Sequence, residues 1–204
     1  MNKALIVGLS TMAFIAGTSA AQAEAFNGGH VGVSINMDNY EVKAQDLFYD
    51  GTRFDGLSGN GVGFGAYAGY DVGMGDGAFA GIEAFGDFGS AKAMASDGEG
   101  GEASVKAKNG FGVTARLGGK ISEATGAYVR AGWTQIHVKG VLGDYSESYN
   151  ESGLLYGVGL ETALGKSASL RAEYLISDFG TVGEADSGLK AKNGQFRLGL
   201  GFNF

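Results

Sequence analysis

From Phe196 to Phe204 every second residue is large and apolar: Phe196, Leu198, Leu200, Phe202 and Phe204 alternate with Gln195, Arg197, Gly199, Gly201 and Asn203. A period of two is the pleat of an extended chain, in which successive side chains point to opposite faces. A helix would scatter these five residues around its circumference, so the segment is a strand with one apolar and one polar face. The same alternation sets Val31, Val33, Ile35 and Met37 against His30, Gly32, Ser34 and Asn36, and Phe64, Ala66, Ala68, Tyr70 and Val72 against Gly63, Gly65, Tyr67, Gly69 and Asp71. It recurs on Phe111, Val113, Ala115 and Leu117; on Val129, Ala131 and Trp133; on Tyr156, Val158, Leu160 and Leu164; and on Leu170, Ala172, Tyr174 and Ile176. A less regular strand covers 78–88, where Phe79 and Phe85 interrupt the polar face. Eight strands result, and the fold class is all-β.

Composition removes several chemistries. The 204 residues contain no cysteine and only two histidines, which excludes a disulfide framework, a Cys-ligated metal and a His-rich centre. A formal charge of −7 with no basic patch argues against a nucleic-acid partner. The 39 glycines far exceed the usual ~7%, yet without proline or a G-X-Y period they signal neither collagen nor a disordered linker.

Residues 1–23 read as a cleaved signal peptide: Lys3 is the positive n-region, Ala4–Gly17 the apolar region, and Ala21-Gln22-Ala23 an A-x-A cleavage site. The apolar run is shorter than the ~20 residues a spanning helix needs. The mature domain is then 24–204, and loss of Lys3 takes its charge from −7 to −8.

Connections between strands alternate in length. Short ones are expected at 73–77, 119–125 and 165–168, and long ones at 41–61, 89–108, 140–152 and 178–189. That asymmetry is the mark of an antiparallel up-and-down transmembrane β-barrel, with turns on the periplasmic side and loops outside. The pentapeptide Lys106-Ala107-Lys108-Asn109-Gly110 recurs as Lys190-Ala191-Lys192-Asn193-Gly194 and reads as a shared lead-in from loop to strand.

The composition of the polar face decides which face is inside. It holds Gly63, Gly65, Gly69, Gly112, Gly118, Gly132, Gly157, Gly159, Gly199 and Gly201 together with Glu83, Arg116, Arg130, Glu161, Glu173 and Arg197. Glycine and charge make a poor apolar ligand cavity but fit the narrow lumen of eight strands, where side chains fill the space. The apolar face then meets lipid. Dense strand glycine implies close quarters inside the barrel. The six charges either pair with one another as a structural lumen network or line a small water path. Pairing is the better expectation, because an unpaired buried charge costs about 3–5 kcal/mol.

The leader, the eight alternating strands and the terminal Phe204 together resemble the small Gram-negative outer-membrane β-barrel family, which includes the transmembrane domain of outer membrane protein A and the opacity-type porins. The segments Phe79-Ala80-Gly81-Ile82-Glu83 and Leu170-Arg171-Ala172-Glu173-Tyr174 look like that family's third and seventh strands. The resemblance implies the outer membrane as location, with lipid and lipopolysaccharide as neighbours, and a monomer. It also implies that Leu200, Phe202 and Phe204 form the assembly signal read by the barrel assembly machinery. The family is functionally diverse.

No enzyme is expected and no cofactor. His137 is followed by Val138 and Lys139, and His30 by Val31 and Gly32, so neither has the His-x-Ser pair of a lipid-deacylating barrel. The two histidines should lie at opposite ends of the barrel. A relaxed G-x-G-x-x-A at Gly61, Gly63 and Ala66 has no following helix and specifies no nucleotide site. Asp97, Glu99 and Glu102, or Asp144, Glu147 and Glu151, lack ordered calcium-loop spacing and read as solvated acidic loops. Leu47, Phe48, Tyr49 and Phe54 either extend the first hairpin or form a partner patch. Trp133, Tyr70, Tyr156, Phe64, Phe111 and Phe204 are candidates for the interfacial aromatic girdle. Two functional readings stand: a structural or surface-displayed porin-like barrel passing small solutes, or an adhesin or envelope-interaction protein that acts through its loops around a plugged lumen.

Overall fold

A computed structural model describes residues 26–44, 57–89, 91–96, 102–142, 145–181 and 189–204. The strands are β1 (Gly28–Ala44), β2 (Leu57–Gly73), β3 (Ala78–Gly89), β4 (Ala91–Ser96), β5 (Glu102–Lys120), β6 (Thr125–Leu142), β7 (Tyr145–Leu164), β8 (Ala168–Thr181) and β9 (Leu189–Asn203). Because β3 and β4 follow one another along β5, they count as one stave, and the nine segments build eight. All neighbours are antiparallel, and β1 pairs with β9 from His30↔Asn203 to Ala44↔Leu189, which closes the sheet into a barrel.

The register sorts the two faces as the alternation predicts. Val33 stands between Ala66 of β2 and Leu200 of β9, and Ile35 between Phe64 and Leu198, all on the outer wall. Their opposite-parity neighbours Ser34, Asn36 and Arg197 are buried inside. The outward apolar residues of β9 run from Phe196 to Phe204, a band of about 21 Å at ~3.4 Å per residue and ~40° tilt, close to the ~25 Å of a barrel's lipid-facing belt. All six girdle candidates, Phe64, Tyr70, Phe111, Trp133, Tyr156 and Phe204, are exposed on that wall. Above the band the wall turns polar through cross-strand pairs: Asn39 with Asn60 at 3.0 Å, Gln135 with Ser152 at 3.0 Å, His137 with Asn150 at 2.9 Å, and Lys192 with Asp178 at 2.7 Å.

One end has the three short turns. In the connection after β2, Gly75 and Gly77 adopt φ of 80° and 81°, a left-handed geometry that glycine enters without a Cβ clash. The other end departs from expectation. Residues 41–44, 91–96, 102–108, 145–152 and 178–181, expected within long loops, are strand, and β6 and β7 are still paired at Leu142↔Tyr145. The backbone ladder continues past the membrane band, where the polar outer wall no longer supplies the hydrophobic contrast that marks a strand in sequence. The first pentapeptide is likewise inside β5, four residues past its start, whereas the second does open β9. The leader 1–23, the apolar residues Leu47, Phe48, Tyr49 and Phe54, and the acids Asp97, Glu99 and Asp144 lie outside the described residues.

Candidate functional site

The six lumen charges expected from the sequence, Glu83, Arg116, Arg130, Glu161, Glu173 and Arg197, are all inside the barrel and no more than 3% exposed. They come from six staves and meet because small residues line the wall between them. Arg130 Nη1 donates to Glu173 Oε1 at 2.8 Å, and its Nη2 lies 2.9 Å from Glu83 Oε1. Arg116 Nη1 donates to Glu161 Oε2 at 2.8 Å.

Four further groups complete the network. Arg171, on the polar face of β8 two residues before Glu173, has Nη1 2.5 Å from Glu83 Oε2 and Nη2 3.1 Å from Glu161 Oε2. Asp71 accepts from Arg116 Nε at 2.7 Å and again from its Nη2. His30 bridges two carboxylates, with Nδ1 3.4 Å from Asp71 Oδ2 and Nε2 3.1 Å from Glu83 Oε2. Asp87 takes Arg197 Nη2 at 2.7 Å. Asp71 and His30 stand on the polar face of their strands in the sequence, and Arg171 follows from the parity of β8. The signal for each was present. All four arginines among the described residues are in this cluster, whose planar forks can each engage two carboxylates.

Aromatic and aliphatic side chains fill the remaining lumen. Tyr67, Phe85, Leu155 and Leu175 form one cluster, while Phe26, Phe79 and Tyr128 close the short-turn end, where Phe26 stacks on Phe79 at 4.6 Å. Phe79 and Phe85, which break the polar pattern in the sequence, are therefore lumen fillers. Arginines lie over these rings, Arg171 at 4.2 Å from Tyr67 and Arg197 at 5.1 Å from Phe85. Wall glycines make room for them: a Cβ on Gly159 would collide with the Tyr128 ring, one on Gly112 with Phe85, and one on Gly32 with Tyr67.

Two small polar spaces flank the filled middle. The one at the long-loop end, between Asp38, Asp87, Asn193 and Gln195, measures about 30 Å³; the other, beside Phe26, His30 and Asp71, about 10 Å³. A buried water needs roughly 10–15 Å³, so the two spaces have room for no more than a few waters. Between them stands Arg171, fully buried.

The remaining candidates fall elsewhere. Leu200, Phe202 and Phe204 face outward on the closing strand, and Phe204 exchanges backbone hydrogen bonds with Gly29 at 2.8 and 2.9 Å, so the chain's end seals the β1–β9 seam. His30 is inside near the short turns and His137 on the outer wall at the far end, so they share no site. Of the acidic loop sets, Glu102 and Glu147 lie on strand backbone, and Glu151 sits on the lumen side of β7.

Residues 8–204 match the family model for the outer membrane protein beta-barrel domain. Among curated proteins no relative matches the sequence. Among solved structures the chain is similar to the outer membrane protein OprG from Pseudomonas aeruginosa, at 13% identity over 87% of this chain and 97% of that one, with a TM-score of 0.54. It is also similar to Ail, the attachment invasion locus protein of Yersinia pestis, in complex with the heparin analogue sucrose octasulfate, at 21% identity over 87% and 99% of the two chains and a TM-score of 0.50. Identities this low speak for a shared fold.

Proposed function

The chain belongs to the outer membrane protein β-barrel domain family and spans the outer membrane with its strands, and from that premise we propose that it is a non-enzymatic, structural and surface-displayed barrel that acts through its outer wall and extracellular segments around a closed lumen. The observation that carries this reading is Arg171: a guanidinium with no solvent exposure, held by Glu83 across the lumen and by Glu161 on the adjacent strand. Solute passage would require breaking buried pairs whose loss costs about 3–5 kcal/mol each. In this reading the lumen charges serve as structural mortar. Residues 1–23 act as the removed leader, and Leu200, Phe202 and Phe204 are what the assembly machinery recognises. In this reading the barrel works as a monomer.

Ion and solute flux through phosphatidylcholine liposomes containing the refolded mature chain tests the proposal, with the boiled-versus-unboiled gel shift as the check on folding. Flux no greater than in empty liposomes is expected. Sustained flux from folded protein would overturn the closed-lumen reading in favour of a porin.

A further inference from the structure

Asn193, Gln195 and Arg197 follow one another on the lumen side of β9, and the hydrogen bonds they make at the long-loop end leave one buried oxygen over. Asn193 Nδ2 and Gln195 Nε2 both donate to Asp38 Oδ1 at 2.8 Å. Gln195 Oε1 accepts from Arg197 Nη2 at 2.8 Å, and that nitrogen also donates to Asp87 Oδ2 at 2.7 Å. Asp87 reaches these groups from β3 because the wall between is glycine: a Cβ on Gly65 would stand 2.7 Å from Asp87 Oδ1 and 2.5 Å from Ser34 Oγ. Asn36 Nδ2 donates to the same carboxylate at 2.8 Å.

An ionised carboxylate only accepts, so the bond to Asp38 fixes which end of the Asn193 amide is nitrogen and turns Oδ1 the other way. That oxygen has no hydrogen-bond partner, although Asn193 is only 5% exposed. Gln195 in the same row has both ends of its amide engaged. Asn193 lines the 30 Å³ space that Asp38, Asp87, Tyr40 and Ser177 also line. A buried carbonyl oxygen without a partner is unfavourable, so the space calls for an occupant that takes its lone pair.

Charge decides which occupant. Asp38 and Asp87 both border the space, whereas Arg197, the cation paired with Asp87, also faces Glu173 at 3.8 Å. Among the described side chains no cation pairs with Asp38. Lys108 borders the space from β5, but it is exposed and makes no ion pair with either acid. A water would satisfy Asn193 Oδ1 and leave the negative excess in place; a cation answers both. The available ligands are carboxylate, amide and hydroxyl oxygens, without histidine or cysteine, which is the chemistry of a hard ion. The space has room for an ion with one or two waters.

We infer that Asp38, Asp87 and Asn193 Oδ1 form a cation site of the Ca²⁺ class at the extracellular mouth of the lumen, tying β1, β3 and β9 together on the loop side of Arg197. Ca²⁺ accepts an irregular shell completed by water, whereas Mg²⁺ demands near-ideal octahedral geometry. Two carboxylates are few for such a site, which sets its dissociation constant in the range of extracellular calcium modules, about 10⁻⁴–10⁻³ M. The site goes beyond the closed-lumen reading and does not depend on it, because flux and ion binding are read separately.

The test titrates CaCl2 calorimetrically into the refolded mature chain in phosphatidylcholine nanodiscs, with empty nanodiscs as the blank and the gel shift as the check on folding. Wild type should bind Ca²⁺ in that range. Asp38→Asn and Asn193→Leu should each weaken binding at least about tenfold, because ligand charge and number set the affinity. Asn193→Asp places a carboxylate where the unpartnered oxygen stands and should tighten binding by about tenfold. Asp178→Asn, on the outer wall, should leave it unchanged. No binding by wild type, equal affinity in wild type, Asp38→Asn and Asn193→Leu, or loss of binding in Asp178→Asn would overturn the inference. Weaker binding by Asn193→Asp would remove Oδ1 from the ligands, and NaCl that binds as tightly as CaCl2 would overturn the divalent class.

Discussion

Arg171 Nη1 lies 2.5 Å from Glu83 Oε2 in the middle of the lumen, and neither side chain is open to solvent. Glu83 also faces Arg130 and His30, whereas Glu161 depends on Arg171 and Arg116. Arg171→Met therefore strands carboxylate charge in a site from which water is excluded, and should cost about 3–5 kcal/mol in a urea titration of the barrel in phospholipid vesicles. Arg171→Met combined with Glu161→Gln removes the excess charge and should recover part of that loss. A single variant as stable as wild type would show that water reaches Glu83, contrary to a filled lumen.

The lumen aromatics set a second expectation. The three atoms nearest a Cβ built on Gly159 all belong to the Tyr128 ring. Gly159→Ala should destabilise by about 1–3 kcal/mol, the usual range for overpacking. In a Tyr128→Ala background, which has already lost the 2.7 Å hydrogen bond to Glu173, the same change should be neutral or favourable, because alanine loses less backbone entropy than glycine. The double-mutant cycle reads the difference. Additivity would mean that Gly159 is not there to seat the ring.

The faces of the barrel were legible in the sequence because burial alternates with the pleat: Leu198 outside, Arg197 inside, with no exception along β9. The six lumen charges were legible for the same reason; Arg171, Asp71 and His30 share that parity, but only the structure joins them to the network. What the sequence could not convey depends on register. No local pattern announces that β5 takes one extra residue between Ala107 and Gly110, a register shift visible only against its partner β6. The extracellular strand extensions were hidden by their polar outer wall. There, Gln135 with Ser152 and His137 with Asn150 hold strands together through groups that in sequence look like loop.

The ion pair of Lys192 and Asp178 stands on that polar wall, above the membrane band, and gives a pH expectation with a definite sign. The hydrogen bond from Lys192, joined by the Gly180 N–H, holds the Asp178 carboxyl below the usual carboxylate range. A depressed carboxyl contributes stability above its unfolded value of about 3.9, and that contribution disappears as pH falls through the folded value. Solvent screens this pair heavily, so the effect on overall stability should be too small to read. The NMR titration of Asp178 should have its midpoint below about 3.9 in wild type and rise toward it in Lys192→Met. A midpoint that ignores Lys192 would remove the pair from solution.

The lipid-facing assignment makes the most quantitative demand. Leu198 and Leu200 are 44% and 58% exposed in the isolated barrel, and their register partners Ile35, Val33, Ala172 and Leu170 also belong to the outer wall. Leu200 is halfway along the apolar run from Phe196 to Phe204, with Leu198 one row higher. An arginine near the bilayer midplane of a barrel wall costs about 2–4 kcal/mol, and near the interface about 0–1. Leu200→Arg should therefore fall in the upper range, Leu198→Arg slightly below it, and Asn39→Arg, on the polar wall past Met37, near zero. Refolding titrations in lipid of fixed thickness rank the three. The ranking follows from depth alone: Asn39 has the same outward parity as Ile35 and Met37 but is hydrogen-bonded to Asn60 above the apolar band. A gradient that ran the other way would move the membrane toward the loops, and equal tolerance at all three positions would reverse the two faces of the barrel.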